Sequence, residues 1–486
     1  MCVLVSGPGD AAVANLAALL IDHPFTDEQA LLHGSGHVLT AGVARARARA
    51  LAADLRAAGV HTGHGVGLRM ANGPDHVVAM MAIWLAGAVL IPINDRLPAA
   101  GLRELLEATS PAALVEPDGI RAIGSPRSFD PGVAFVMWTS GTTGTPRAIL
   151  HTHSAYLELL DRVLVPLRGA ARRPPRPPSP NLIPISLALN AGMYNALFGL
   201  RAGAPLVIMD RFTTTEFARL VHEYEIRSTV LPPAAMAMLN DDPALEDLAP
   251  LRFIRSITAP LSPLQARRFM DRFGVFVLNS YGQAEMGEVI GWTAADAREH
   301  PEKVGAAGRP HPGVALKIVG ADLHQSGGAG ELYVRPPRMA AGYAAGGSLD
   351  DRTDDDGFIA TGDLARLDPE GFVWIEGRVG DLINRGGNKI FPEEVEEVLK
   401  LAPGVREAAV VGIRDERLGE VPVAFVVADR ELDVGALREL CCARLVPYKV
   451  PVDFVPIISL PRTEVGKLQR GALRAAYEAR PKGDTS

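Results

Sequence analysis

Only three cysteines, Cys2, Cys441 and Cys442, occur in the 486 residues, and the last two are adjacent. That number cannot build a disulfide framework, and the adjacent pair has the wrong spacing for a metal site or an ordinary bridge, so the thiols read as bystanders in a reducing compartment. Lysine is nearly as scarce: seven of the 49 basic residues are lysine, and none precedes Lys303. An excess of positive charge is also missing. With 56 acidic residues against those 49, the net charge is −7, which leaves no global field to hold nucleic acid or an anionic membrane. No apolar run reaches the roughly 20 residues that span a bilayer, and the opening segment MCVLVSGPGDAAVANLAALLIDHPF has no basic n-region. A cytoplasmic protein is expected.

What is present is ordinary globular composition, 48% hydrophobic and 22% charged, at a length that predicts two or three domains. Helical periodicity over Ala41–Ala58, ending at Gly59, is followed by a strand at Gly65–Met70, an apolar helix at His76–Ala86 and a strand at Val89–Ile93. Helix and strand patterns alternating in this way predict parallel-sheet βαβ units. Further strands are expected at Val133–Trp138, Pro205–Met209, Arg227–Leu231, Phe253–Thr258 and Val275–Leu278. The stretch Ala171–Pro180, rich in proline and arginine, cannot pack as helix or central strand and reads as an exposed loop. After Gly377 the pattern changes. Pro392-Glu393-Glu394 opens a helix in the order that helix geometry and dipole favour. Strands at Ala408–Ile413 and Val421–Val427 and a helix at Val434–Leu445 follow, placing a domain boundary near Arg378–Asp381.

The most informative segment runs from Phe135 to Arg147. An apolar strand leads directly into Thr139, Ser140, Gly141, Thr142, Thr143, Gly144 and Thr145. Glycines let a backbone approach an anion closely and the hydroxyls add donors, so the segment reads as a phosphate cradle, although such a loop taken alone is more often a turn. It is not the loop of P-loop nucleotidases, because no lysine follows the second glycine.

This segment resembles the TSGTTGxPKG signature of the adenylate-forming superfamily, which comprises acyl- and aryl-CoA ligases, adenylation domains and beetle luciferases. Arg147 and Ala148 stand where that family usually has lysine and glycine. Further matches follow in family order: Ser256-Ile-Thr-Ala-Pro-Leu261, Asn279-Ser-Tyr-Gly-Gln-Ala-Glu285, Gly330–Val334 with Gly342-Tyr343, Thr361-Gly362-Asp363, Gly377-Arg378, and Pro461-Arg-Thr-Glu-Val-Gly-Lys467. The resemblance implies an α/β fold: a large multi-subdomain N-terminal domain over residues 1–377 that binds AMP and the acyl group, and a small mobile C-terminal α+β domain over 378–486 that carries the catalytic lysine.

It also implies the site. Thr139, Ser140, Gly141, Thr142, Thr143 and Gly144 would cradle the ATP phosphates. Thr258, Ala259, Pro260, Asn279, Ser280, Tyr281, Gly282 and Gln283 would surround the base, with a backbone turn at Gly282 and Tyr281 free to stack. Asp363 would accept the ribose hydroxyls, with Ile375 and Arg378 beside it. Glu285 and Thr142 would hold Mg²⁺. Lys467 would bridge the attacking carboxylate and the α-phosphate, a role suited to a compact ammonium in a chain that otherwise uses arginine. Thr142, Glu285, Arg378 and Lys467 are the catalytic set.

The implied chemistry has two steps. A carboxylate attacks the α-phosphate of ATP to give an acyl-adenylate and pyrophosphate, and a thiol then displaces AMP after the small domain swings about a hinge. That hinge is Gly377–Asp381, with Gly380 where many relatives carry a charged residue. Gly386, Gly387 and Lys389 would admit CoA, which is favoured over a carrier protein. The acyl pocket aligns with Leu187, Asn190, Tyr194, Ile257 and Leu278. Ile257, replacing a glycine, predicts a shortened pocket for a small or medium acid, aliphatic or aromatic, unless the backbone shifts to relieve it. Pro184–Leu187 lacks an aspartate to pair an α-amino group, which disfavours amino acids. Two other readings stay open: a free-standing enzyme loading a carrier protein, and a degenerate nucleotide-binding relative, the latter suggested by Arg147, Ala284, Leu187 and Gly380. Oligomeric state is not legible.

Overall fold

The computed structural model describes residues 14–139, 147–168, 179–259, 261–320, 329–343, 349–429, 431–462 and 468–480. Two large sheets share one core. In the nine-stranded sheet, strands Ala30–Gly34, Leu206–Ile208, Asn181–Ile183, Ser228–Leu231, Phe253–Ser256 and Phe276–Gln283 lie parallel in that spatial order, with antiparallel strands closing both edges. The seven-stranded sheet has a parallel centre of Val133–Thr139, Val89–Ile93, Gly65–Arg69 and Ala113–Glu116. Helix Pro74–Leu85 is buried along nearly its whole length, because its sequence PDHVVAMMAIWL offers no polar stripe beyond its first turn. It packs into the largest core with Ile183, Leu206 and Ile208 of the first sheet and Val66, Leu68, Leu90 and Phe135 of the second. The indole N–H of Trp84 on that helix donates to the Ala134 carbonyl at 2.8 Å.

Alternation along the strands assigns the faces of the nine-stranded sheet. Leu182, Val207, Leu231, Ile254 and Val277 point outward beneath helices Thr214–Glu223, Pro233–Asp241 and Pro263–Phe273. Their neighbours Ile183 and Ile208 point inward into the largest core with helix Asn190–Ala202, and on the same face Arg255 pairs in register with Leu278, which packs with Trp292, Ala297, Ala306 and Phe372. A polar residue on that inner face is therefore enclosed.

A four-stranded antiparallel sheet follows, with Ala315–Val319, Gly330–Arg335, Ile359–Leu367 and Val373–Arg378 in spatial order. The last sheet gathers Asn388–Ile390, Ile383–Arg385, Gly419–Ala428 and Val405–Asp415, with Asp453–Pro456 added in parallel. Helices Pro392–Leu399 and Val434–Arg444 cover one face of it and Arg470–Glu478 the other, so this small unit has its own core on each side of the sheet. Cys441 is buried in that core and burial pushes its thiol up to about 11, while Cys442 is exposed.

Most expected elements occur within a residue or two of their predicted ends; the strand expected at Ala408–Ile413 runs from Val405 to Asp415, and two other strands end elsewhere for a visible reason. The strand expected at Phe253–Thr258 stops at Ser256, because Thr258 turns into the left-handed region at φ +76°. The strand expected at Val275–Leu278 runs on to Gln283, because Ser280–Gln283 pair antiparallel with Gly287–Gly291. Of the proline-rich stretch, 171–178 lie outside the described residues. No helix among the described residues is long and apolar enough to cross a membrane.

Candidate active site

The site is built where the nine-stranded and four-stranded sheets meet. Strand Phe276–Gln283 carries Asn279, Ser280, Tyr281, Gly282 and Gln283, so the turn expected at Gly282 is displaced to Ala284–Met286. The reason is steric. A Cβ on Gly282 would lie 2.0 Å from the Gly287 carbonyl oxygen, so only glycine lets the two strands of this hairpin close. Ser280 donates its hydroxyl to the Ser256 carbonyl at 3.1 Å, tying this strand to the Ser256–Leu261 segment. In that segment Ile257 and Ala259 are half-buried, Thr258 is exposed, and Pro260 lies outside the described residues.

Across the sheet junction Tyr281 and Asp363, predicted as separate nucleotide contacts, touch each other. The tyrosine hydroxyl donates to Asp363 Oδ2 at 2.5 Å and the Gln283 amide donates to the same oxygen at 2.9 Å. Arg378 Nε meets Oδ1 at 3.0 Å. The carboxylate is 5% exposed, and its backbone is fixed by Thr361, whose hydroxyl donates to the Leu332 carbonyl and accepts from Asp363 N–H. Burial, and then the neighbouring Asp363 charge, push the Tyr281 phenol well above its ordinary range, so it stays a donor. Ile375 sits on the strand paired with Asp363's own, opposite Ala365.

Glu285 lies in the turn after Gln283. Its Oε1 accepts from Tyr343 at 3.3 Å and from Arg352 Nη1 at 3.2 Å. Arg352 also reaches Gln283 Oε1 at 3.1 Å and the Ala360 carbonyl at 2.7 Å, so one guanidinium joins the turn, the glutamine and the strand of Asp363. Sequence reasoning missed Arg352, which stands in an acidic stretch with no motif around it. Tyr343, expected to be structural, belongs to a short strand paired with Arg147–Thr152, and Ala340 N–H donates to the Glu285 carbonyl at 2.8 Å. Strand Arg147–Thr152 in turn pairs with Val133–Thr139, with Thr139 opposite Arg147. Both ends of the Gly/Thr segment are thereby anchored close to Glu285. Ser140, Gly141, Thr142, Thr143 and Gly144 themselves lie outside the described residues.

The predicted acyl-pocket residues separate into two groups. Leu187 is fully buried in the main core, its N–H donating to Asn72 Oδ1 at 2.8 Å. Asn190 opens helix Asn190–Ala202 and accepts from the Tyr156 hydroxyl at 3.0 Å. One turn later the Tyr194 hydroxyl is buried with no hydrogen-bond partner among the described residues. On the opposing strands Leu278 pairs in register with Arg255, which sequence reasoning did not single out. Arg255 Nη1 donates to Glu288 Oε2 at 3.1 Å, and Glu288 Oε1 meets His311 Nε2 at 2.9 Å. These side chains are 15%, 8% and 12% exposed. Burial alone would raise the Glu288 carboxyl, but the Arg255 charge and His311 outweigh it and hold it below its ordinary value.

Lys467 also lies outside the described residues, yet the ends of its segment are fixed. Arg462 bridges to Leu468, and Gln469 N–H donates to the Pro461 carbonyl at 2.9 Å. The next residue, Arg470, holds Asp381 of the segment expected to be the hinge at 3.4 Å, Glu393 at 2.9 Å, and Glu396. Burial, only partly offset by Arg470, raises the Glu393 carboxyl to about 7, and its second oxygen, against Gly377, is buried without a hydrogen-bond partner among the described residues. Gly380 sits in a 3₁₀ turn over Val379–Asp381. Gly386 and Gly387 form the positive-φ turn between strands Ile383–Arg385 and Asn388–Ile390, and Lys389 is exposed on the second. Ser262 donates to Glu397 at 2.7 Å, linking the large unit to the small one.

Residues 22–128 and 124–344 match the AMP-binding enzyme family, and residues 394–467 match the C-terminal domain of AMP-binding enzymes. The chain belongs to the AMP-binding enzyme family. Similar members of this adenylate-forming superfamily include the indoleacetate–CoA ligase of Aromatoleum aromaticum, 30% identical over 87% of this chain and 90% of that one. The 2-succinylbenzoate–CoA ligase of Bacillus licheniformis is 29% identical over 94% of this chain and the whole of its own. Among solved structures, ATP-bound MatB from Rhodopseudomonas palustris superposes with a TM-score of 0.84 at 24% identity, covering 96% of this chain and 99% of its own. The fold of this AMP-binding enzyme is thus the adenylate-forming one, a large α/β N-terminal domain followed by a small C-terminal domain.

Proposed function

We propose that this AMP-binding enzyme joins a small or medium carboxylic acid to the thiol of CoA, consuming ATP and releasing pyrophosphate and then AMP. The observation that carries the reading is the convergence of three motifs from distant parts of the chain: the anchored ends of the Gly/Thr segment, Glu285 in its turn, and the Tyr281–Asp363–Arg378 group. A carboxylate is a poor electrophile. Attack of its oxygen on the α-phosphorus breaks the bond to pyrophosphate and leaves an acyl group on AMP, a good leaving group for the thiol that follows.

Asp363 is the ribose acceptor in this reading. Its two oxygens hold Tyr281, Gln283 and Arg378 in place, and ribose hydroxyls would join or displace those donors. Thr139, Ser140, Gly141, Thr142, Thr143 and Gly144 present hydroxyl and N–H donors to the phosphates, and Lys467 stabilises charge at the α-phosphate as the acid attacks. Glu285 offers a hard oxygen fixed by Arg352 and Tyr343, which suits a cation that takes one protein carboxylate and completes its shell with phosphate oxygens and water. Mg²⁺ held there with Thr142 would neutralise charge on the phosphates.

We read residues 378–486 as the swinging domain. Gly386, Gly387 and Lys389 on its hairpin receive the pantetheine arm, and the site of action is the cytoplasm. The names of the indoleacetate– and 2-succinylbenzoate–CoA ligases support CoA as acceptor, and a carrier protein is the alternative. Acid-dependent exchange of labelled pyrophosphate into ATP tests the first half-reaction. A signal is expected with some members of a C2–C10 carboxylate library, and silence across the library would support a degenerate nucleotide binder instead. Offering CoA beside a panel of holo carrier proteins then separates the acceptors.

A further inference from the structure

The inner face of the nine-stranded sheet holds a charged group where an aliphatic or aromatic pocket would need none. Arg255 shares this face with Leu278, its register partner, and meets Glu288, which His311 braces from the other oxygen. Helix His153–Arg168 closes the group from above. A Cβ on Gly287, at φ +67°, would sit 2.0 Å from Leu159, and Arg162 reaches the Met286 carbonyl at 3.4 Å while paired with Glu158 at 2.8 Å. The ring of Tyr156 on the same helix meets that of Tyr194 edge-on at 6.4 Å. The Tyr194 phenol lies in the combined field of Glu288, Arg255 and Arg162, and is the group's one buried hydroxyl with no hydrogen-bond partner among the described residues.

A buried hydroxyl without a partner has given up its hydrogen bonds to water and gained none in return. A guanidinium has five donors, of which Arg255 uses one in a side-chain hydrogen bond among the described residues. Both facts describe a group with donors to spare. Its charges already balance: Arg255 against Glu288, and Arg162 against Glu158. A second carboxylate would therefore meet Glu288 without a free cation, whereas an uncharged oxygen acceptor would satisfy Tyr194 and Arg255 at no electrostatic cost.

We propose that the acid activated by this enzyme carries, at its end remote from the reacting carboxylate, an uncharged hydrogen-bond acceptor such as a hydroxyl or ketone oxygen, received by Tyr194 and Arg255, with Glu288 setting the charge limit. The proposal rests on the activity reading above and on the alignment that puts Tyr194 and Leu278 beside the acyl group. It revises the expected aliphatic or aromatic acid towards a hydroxy- or oxo-acid.

The test compares kcat/KM for pyrophosphate exchange within shape-matched sets: 4-hydroxybenzoate, 4-methylbenzoate and terephthalate; and 5-oxohexanoate, 5-methylhexanoate and adipate. The polar neutral acid is expected to lead its apolar partner by at least about tenfold in at least one set, since a site built to hydrogen-bond a substrate oxygen discriminates strongly against its absence. The diacid should trail. Tyr194→Phe should cut the polar-to-apolar ratio by roughly fivefold, and Glu288→Gln should raise the diacid-to-neutral ratio, a reversal that a merely structural role would not produce. A native ratio near one in both sets, or apolar acids preferred, overturns the substrate class and leaves the activity standing. Exchange with none of the six acids, alongside exchange with other members of the library, overturns this inference alone, and exchange with no acid at all removes both. Should Glu288→Gln fail to fold, the native ratios and Tyr194→Phe decide.

Discussion

Replacing Asp363 by asparagine tests whether one carboxylate organises the sheet junction. The side chain is almost fully buried and accepts from Tyr281 at 2.5 Å, Gln283 at 2.9 Å and Arg378 at 3.0 Å. An amide of the same shape has one acceptor oxygen and one donor nitrogen, so it can face Tyr281 and Gln283 or Arg378, never both sets. Hydrogen bonds to charged groups contribute about 1.5–3 kcal/mol. The Arg378 side chain is 38% exposed and water compensates much of its loss, so the amide turns its oxygen to Tyr281 and Gln283, and the loss of the negative charge from those two buried bonds dominates. A net destabilisation of about 2–3 kcal/mol is expected. Thermal denaturation followed by circular dichroism should show a fall of several degrees, and steady-state exchange should show KM for ATP raised at least tenfold. An unchanged melting temperature together with an unchanged KM would refute the reasoning, because the junction would then be held by something other than this carboxylate.

Three further outcomes follow from the site. Lys467→Ala should remove most adenylation while thioester formation from supplied acyl-adenylate stays near the native rate, and equal loss in both assays would contradict the assigned role. Glu285→Ala should raise the Mg²⁺ concentration for half-maximal exchange, and an unchanged metal titration would contradict its place on the cation. Glu393 should give a pH signature. Its carboxyl is raised from 4.5 to about 7 in the fold, so its contribution to stability is complete below pH 4.5 and is lost as pH rises through 7. Relative to the native protein, Glu393→Gln, which keeps an acceptor for Arg470, should therefore gain stability between pH 5 and 8, by an amount on the order of 1 kcal/mol. Chemical denaturation at pH 5.5 and 8 measures this, and a difference that does not change with pH would be the wrong answer.

The fold was legible where periodicity was strong. Helix Ala41–Ala57, the apolar helix Pro74–Leu85 and the strands around them lie where hydrophobic spacing put them, because burial of those faces allows little else. Sequence spacing failed where a long-range contact decides local structure. Asn279–Gln283 reads as a glycine turn, and becomes strand only because Gly287–Gly291 folds back on it at a distance that excludes a Cβ. The family motifs placed Glu285, Asp363 and Arg378 together, but not the residues that hold them. Arg352 has no local signature. Arg470 lies just beyond the lysine motif and shows its role only through three acids from other parts of the chain. Arg255 and Glu288 are legible only in space, since 33 residues separate them in sequence.

The nucleotide product formed when acid, ATP and CoA are incubated together tests the central claim most directly. Cleavage between the α- and β-phosphates predicts AMP and pyrophosphate in amounts equal to the acyl-CoA formed, dependent on the acid and mostly lost in Lys467→Ala. Appearance of ADP and inorganic phosphate, or of acyl-CoA without AMP, would contradict the account.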